Sequence, residues 1–204
     1  MVGGIAEVRI IAGTAKGIRL KAPKGMKTRP TADRVKESVF AILGDSCVDA
    51  EVLDLFSGTG NLGLEALSRG AATAVLIDKN VQSIKIMMEN AILTDLTGFV
   101  VICREEVMQA LRRLNGEGRS FDLIFCDPPY NLGWPGKVLN VIENSEILRS
   151  GGILVMEHSR HEKISTELKR IVVYRSEFYG ETVVSFFAKL EGNDSEDSSV
   201  PREF

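Results

Sequence analysis

From residue 51 onward, short apolar runs rich in β-branched residues alternate with segments whose apolar residues recur at helical spacing. That alternation leaves few folds open, because strands separated by helices are built into a mostly parallel sheet. Strands are expected over residues 51–56, 73–78, 99–103 and a run ending at Asp127, with a fifth over 153–157 opened by a Gly151-Gly152 turn. Helices are expected over 62–69, 81–93, 105–114, 136–148 and near 162–168. The last two runs, 172–178 and 182–189, are joined only by Tyr179-Gly180-Glu181. Three residues cannot hold a crossover helix, so this final pair is expected to be antiparallel.

Two places in this frame carry chemistry. The first is Leu53-Asp54-Leu55-Phe56-Ser57-Gly58-Thr59-Gly60-Asn61-Leu62-Gly63, joining the first strand to its helix. Its glycines permit a tight turn and close approach of a ligand to the backbone. Gly58, Gly60 and Gly63 also fit the dinucleotide fingerprint, and Asp78 lies near the distance expected for a ribose-binding carboxylate. Asp54 separates the readings. A carboxylate four residues before the first glycine suits a cationic ligand, and a pyrophosphate has no evident need of it.

The second is Asp127-Pro128-Pro129-Tyr130, after the buried-looking run Phe121-Asp122-Leu123-Ile124-Phe125-Cys126. Two prolines stop the strand and stiffen the chain, since each fixes φ and neither offers an N–H. The result is a rigid loop at the carboxyl edge of the sheet, where open α/β sheets bind ligands.

The net charge of −3 hides an asymmetry. Residues 1–40 hold nine Lys and Arg against Glu7, Asp33 and Glu37, so this segment is +6 and the rest −9. A basic arm on an acidic body can hold a phosphate backbone locally. A hairpin with Val8–Ile11 and Ile18–Leu20 as its sides, then a helix capped by Thr31 or Asp33 and running to Leu43, are expected there. Cys47, Cys103 and Cys126 are widely spaced in apolar surroundings and are expected as buried free thiols of a cytoplasmic protein. With no Cys near His158 or His161, no metal site is expected. No apolar run is long enough to span a bilayer. A monomer is expected.

An apolar strand leading into Asp-Pro-Pro-Tyr resembles the fourth motif of S-adenosylmethionine-dependent methyltransferases that modify planar nitrogen groups. Adding Arg9-Ile10-Ile11-Ala12-Gly13, Gly17, Leu20, the block Arg29 to Glu37 and the stretch Leu53 to Ala71, the chain resembles the RsmD family from about Arg9 to Leu190. These are bacterial 16S ribosomal RNA guanine-N2 methyltransferases. Departures are modest: Ala12 where the family often has Gly, Tyr130 where some members have Phe, and an added acidic tail.

The resemblance implies a class I, Rossmann-like seven-stranded α/β fold over residues 45–190 and a basic RNA-binding extension over 1–44; the polar, Ser-rich composition of the acidic tail over 191–204 leads it to be expected disordered. It implies S-adenosylmethionine bound near Asp54, Phe56, Gly58, Thr59, Gly60, Asp78, Lys79 and Glu106, with Arg29 and Thr31 closing over it. Glu106 equally suits a helix N-terminus, where the macrodipole favours a carboxylate. Asp127 and the Pro128 carbonyl would accept hydrogen bonds from the target amine, Pro129 would stiffen the loop, and Tyr130 would stack on the base through its face. Arg9, Lys16, Arg19, Lys24, Lys27 and Arg34 would hold phosphates of 16S RNA or the small ribosomal subunit. The competing readings are a DNA adenine-N6 methyltransferase using the same loop, a nicotinamide-dependent oxidoreductase, and an assembly factor that binds RNA without turnover.

Overall fold

The computed structural model describes residues 8–23, 30–162, 164 and 168–191, with side chains in the first turn of the first helix left aside. The described strands are β1 (Glu51–Leu55), β2 (Thr73–Asp78), β3 (Val100–Arg104), β4 (Phe121–Cys126), β5 (Leu148–Ser159), β6 (Ile171–Tyr179) and β7 (Thr182–Lys189). They form one seven-stranded sheet in the order β3-β2-β1-β4-β5-β7-β6. β1 to β5 are mutually parallel, and β7 runs antiparallel to both β5 and β6. β4 lies on the opposite side of β1 from β2, so the order reverses between β1 and β4. The crevice at the carboxyl ends of those two strands is the ligand position of such sheets.

Two apolar layers flank the sheet. Helices α1 (Pro30–Leu43), α2 (Asn61–Ser68) and α3 (Val81–Leu93) pack on one face, and α4 (Val107–Gly116) and α5 (Trp134–Glu143) on the other. Val8, Ile10, Ala15 and Leu20 of the N-terminal segment join the first layer beside Phe40, Phe125 and Val155. The Phe40 and Phe125 rings lie 5.6 Å apart, fastening α1 to the centre of the sheet. α1 leads from its C-terminal end into β1, so it runs antiparallel to the strands, with its N-terminal end toward the carboxyl edge.

Several expectations are corrected. The N-terminal hairpin is reduced to a single antiparallel bridge, Arg9 with Arg19. Its backbone bonds Ile10 N–H to Ile18 O and Leu20 N–H to Val8 O support nothing longer among the described residues. Gly151-Gly152 does not open β5, which begins at Leu148. The two glycines form an irregular step inside it, where the pairing jumps from Phe121–Leu148 to Leu123–Ile153. Gly151 has φ +72°, and a Cβ on Gly152 would lie 2.8 Å from the Arg149 carbonyl, so the step needs glycine at both places. α5 ends at Glu143 rather than reaching Leu148, because buried Ile147 and Leu148 are already committed to the sheet. Glu162, Ile164 and Leu168 are not helical, and the rest of the helix expected near them lies outside the described residues. So does the tail beyond Glu191. No described helix is long and apolar enough to cross a membrane.

Candidate active site

The glycine loop is held from several sides. Phe56 has φ +61°, a strained value for a bulky residue, and its ring meets Trp134 edge-on at 5.1 Å. Ser57 donates its N–H to Ile77 O and its hydroxyl to Asp54 O, while Ile77 N–H donates to Ser57 Oγ. These bonds bind β1 to β2 at their carboxyl ends. Asp78 accepts from Gly58 N–H at 3.0 Å and Asn80 N–H at 2.8 Å, so one carboxylate shapes both the loop and the start of α3. Thr59 O accepts from buried Asn90, whose amide also clamps the N–H and carbonyl of Lys21. Gly60 adopts φ +78°, and a Cβ on Gly63 would lie 2.2 Å from a Leu76 methyl. One glycine makes the turn and the other lets α2 lie close on the sheet.

Asp54 is 2% exposed and accepts from Gly63 N–H at 3.0 Å, which makes it a cap for the first turn of α2. Burial, reinforced by the charge of Asp78, pushes its carboxyl up to about 7 against the opposing pull of Gly63 and Ser57. The expected cofactor residue is thus a buried brace behind the loop, held near the boundary between its charged and neutral forms. Glu106 accepts from Met108 and Gln109 N–H, so its observed work is to cap α4. Lys79 points into solvent.

Across the switch point, the register Leu55–Cys126–Met156 aligns the carboxyl ends of β1, β4 and β5. Asp127 and Glu157 each follow that register by one residue, Asp127 just past the end of β4 and Glu157 within β5, which brings the two carboxylates side by side. Pro128 is buried, while Asp127 and Pro129 are exposed at the mouth. Dense protein around the carboxyl, then the charges of Glu157 and Asp54, push Asp127 well above its ordinary range. Because the residue keeps an open edge to solvent, the like charges are the firmer cause. Burial also raises Glu157, against the pull of a hydrogen bond from Tyr130.

That hydrogen bond gives the hydroxyl a role beside the stacking expected of the ring. The Tyr130 hydroxyl is bonded to Glu157 Oε1 and lies 2.9 Å from Thr182 Oγ1, so the hydroxyl is engaged, whatever the ring face does. Burial and the Glu157 contact push its ionisation upward, keeping it a donor. Glu157 and Thr182 escape a local reading because they lie 27 and 52 residues from Tyr130. One signal was available: Asp54, Asp78, Asp127 and Glu157 all stand near the carboxyl ends of apolar strands.

Arg9, Lys16, Arg19 and Arg34 are exposed, and the bridge puts Arg9 beside Arg19. Lys24, Lys27 and Arg29 lie outside the described residues, and of Thr31 only the backbone, within the first turn of α1, is described. Lys36, counted with the basic arm in the sequence, is only 2% exposed. Its ammonium pairs with Glu65 at 3.0 Å and donates to Asn61 Oδ1 and Arg9 O. Glu65, 0% exposed, also accepts from Ile11 N–H, Ala12 N–H and Arg69. Gly13 lies so close to the end of α2 that a Cβ would fall 1.7 Å from Ser68 O. The Arg9-to-Gly13 motif therefore docks the arm onto α2. A depression of about 280 Å³ lined by Asn115, Arg119, Glu146 and Arg149 lies at the opposite, amino edge of the sheet and is unconnected with these groups.

Comparison with known proteins bears on the fold and the family. Residues 8–188 match the family model "Conserved hypothetical protein 95". The chain is 36% identical over 182 residues to "Putative rRNA methyltransferase YlbH" of Bacillus subtilis, covering 89% of this chain and 99% of that protein. It is 30% identical over 193 residues to "Ribosomal RNA small subunit methyltransferase D" of Escherichia coli, covering 95% and 96%. Among solved structures, "Putative methyltransferase yhhF from Escherichia coli" superposes with a TM-score of 0.81 at 30% identity, covering 91% of this chain and 99% of that one. The chain belongs to the conserved hypothetical protein 95 family, which is the RsmD family of the sequence reading.

Proposed function

We propose that this protein transfers the methyl group of S-adenosylmethionine to the exocyclic N2 of a guanine in small-subunit ribosomal RNA. The observation that carries the reading is the proline-stiffened Asp127 loop set across the switch point from the braced glycine loop. The donor set fits the cofactor: Asp78, half-buried at the end of β2, offers a carboxylate to ribose hydroxyls, and buried Asp54 braces the glycine loop that would receive the ligand. When bound, the cofactor supplies a methyl group made electrophilic by its sulfonium.

The remaining work falls to the chain. A purine amine is a poor nucleophile because its lone pair is delocalised into the ring. Asp127 and the Pro128 carbonyl accept its two hydrogens, drawing the nitrogen toward tetrahedral geometry and aiming its lone pair at the methyl carbon. Transfer of that methyl group would leave the amine with a surplus proton, which the Asp127 carboxylate or solvent would take. Orientation and fixed charge supply the acceleration. The base must leave its stack to reach this cleft. Arg9, Lys16 and Arg19 hold phosphates alongside. The related proteins named as rRNA methyltransferases support RNA over DNA as the substrate.

The test mixes methyl-labelled cofactor and the protein with small subunits or protein-free 16S RNA from cells lacking the enzyme, then digests to nucleosides. Label in N2-methylguanosine is expected. Label only in N6-methyladenosine of a DNA duplex would overturn the reading.

A further inference from the structure

Asp127 and Glu157 present an arrangement that methyl transfer to an amine does not by itself require. Asp127 lies one residue past the end of β4, beside Glu157 of the neighbouring β5 and close enough to feel its charge, and among the described residues no cation pairs with either. Tyr130, fixed by Thr182, donates to Glu157 Oε1. Among the described residues no hydrogen bond is made by Oε2. Two neighbouring acceptors without a cation between them suit a ligand that brings two neighbouring donors.

From this geometry we infer that Glu157 is a specificity residue: its Oε2 accepts the N1–H of the flipped base while Asp127 accepts from the adjacent N2 amine. The inference rests on the guanine reading above and sharpens it. Guanine's Watson–Crick edge carries N1–H beside the N2 amine, a donor next to a donor. Adenine places a lone pair at N1 beside its amine, so Glu157 would face it with a second lone pair, acceptor against acceptor. A buried acceptor left without its donor rejects the wrong base more strongly than a missing apolar contact does. Tyr130 acts through Glu157 as a positioning residue, since its hydroxyl occupies Oε1 and leaves Oε2 as the open acceptor. The Glu157 pairing thus separates a guanine enzyme from an adenine enzyme built on the same Asp-Pro-Pro-Tyr loop.

The test uses full-length wild-type protein and Glu157→Gln, with 16S RNA carrying either guanine or 2-aminopurine at the methylated position. 2-Aminopurine keeps the N2 amine but has a lone pair at N1. The wild type is expected to favour guanine by about ten- to a hundredfold. In Glu157→Gln the Tyr130 hydroxyl still donates to Oε1, so the amide N–H takes the place of Oε2 and donates to the 2-aminopurine N1. The preference should then narrow or invert, with cofactor titration confirming that the variant is folded. If the variant does not fold, the wild type on the two RNAs decides alone, and equal rates overturn the inference. An unchanged preference in a folded Glu157→Gln also overturns it. A wild type that labels neither RNA overturns the parent reading, and this one with it.

Discussion

Glu65 and Glu157 are both carboxylates taken out of bulk water, yet their surroundings have little in common. Glu65 meets Lys36, Arg69 and two backbone N–H groups, so its charge is met on every side by donors from the arm, α1 and its own helix. Glu157 meets one tyrosine hydroxyl and the carboxylates of its neighbourhood. A buried charge that is fully paired specifies which surfaces dock, whereas like charges crowded without a cation cost stability and are kept where a ligand completes them. The difference separates a scaffold cluster from a working one, although they stand on the same face of the same sheet.

Breaking the scaffold side should have the largest effect on folding. Glu65→Ala leaves the Lys36 ammonium buried without its counter-ion, which costs roughly 3–5 kcal/mol. Its melting temperature, read by circular dichroism, should fall by about 6–20 °C. Asp54 sharpens the contrast through pH. Its folded carboxyl titrates near 7, above the unfolded value of about 3.9, so the native state holds the proton more tightly. The resulting stabilisation is fully present below about pH 4 and is lost as pH rises through 7, a swing of roughly 4 kcal/mol. Denaturant titrations at pH 5 and 8 should show Asp54→Asn losing less stability than the wild type across that interval.

Tyr130→Phe releases Glu157 without disturbing the ring, and kcat/KM on the RNA should drop about tenfold with cofactor affinity unchanged. An effect below twofold would mean the hydroxyl bond is idle. At the smallest end, Arg9→Ala should weaken RNA binding severalfold and lower the salt dependence of log Kd by about one unit of slope. A filter-binding series from 50 to about 300 mM salt reads both.

The sequence made the local features plain and left the distant ones hidden. β1, β2 and β4 are mostly apolar, interrupted by Asp54 and Asp122, because both faces are buried, and the glycine loop and Asp-Pro-Pro-Tyr carry their geometry in consecutive residues. Lys36 was legible only as one more positive charge in a basic arm, since its partners Glu65 and Asn61 are brought to it by tertiary packing. Gly151-Gly152 has the composition of a turn, and only pairing with β4 shows it to be a step within a strand. The role of Glu106 was open between two physical readings, and its bonds to Met108 and Gln109 favour the cap.

The central claim is that Asp127 works on the amine and not on the cofactor, and Asp127→Asn tests it most directly. Cofactor dissociation constants and single-turnover methyl transfer to 16S RNA would be measured side by side for wild type and variant. The predicted result is cofactor binding within about threefold and transfer at least about a hundredfold slower. Transfer at the wild-type rate, or a loss explained wholly by weaker cofactor binding, would contradict the account.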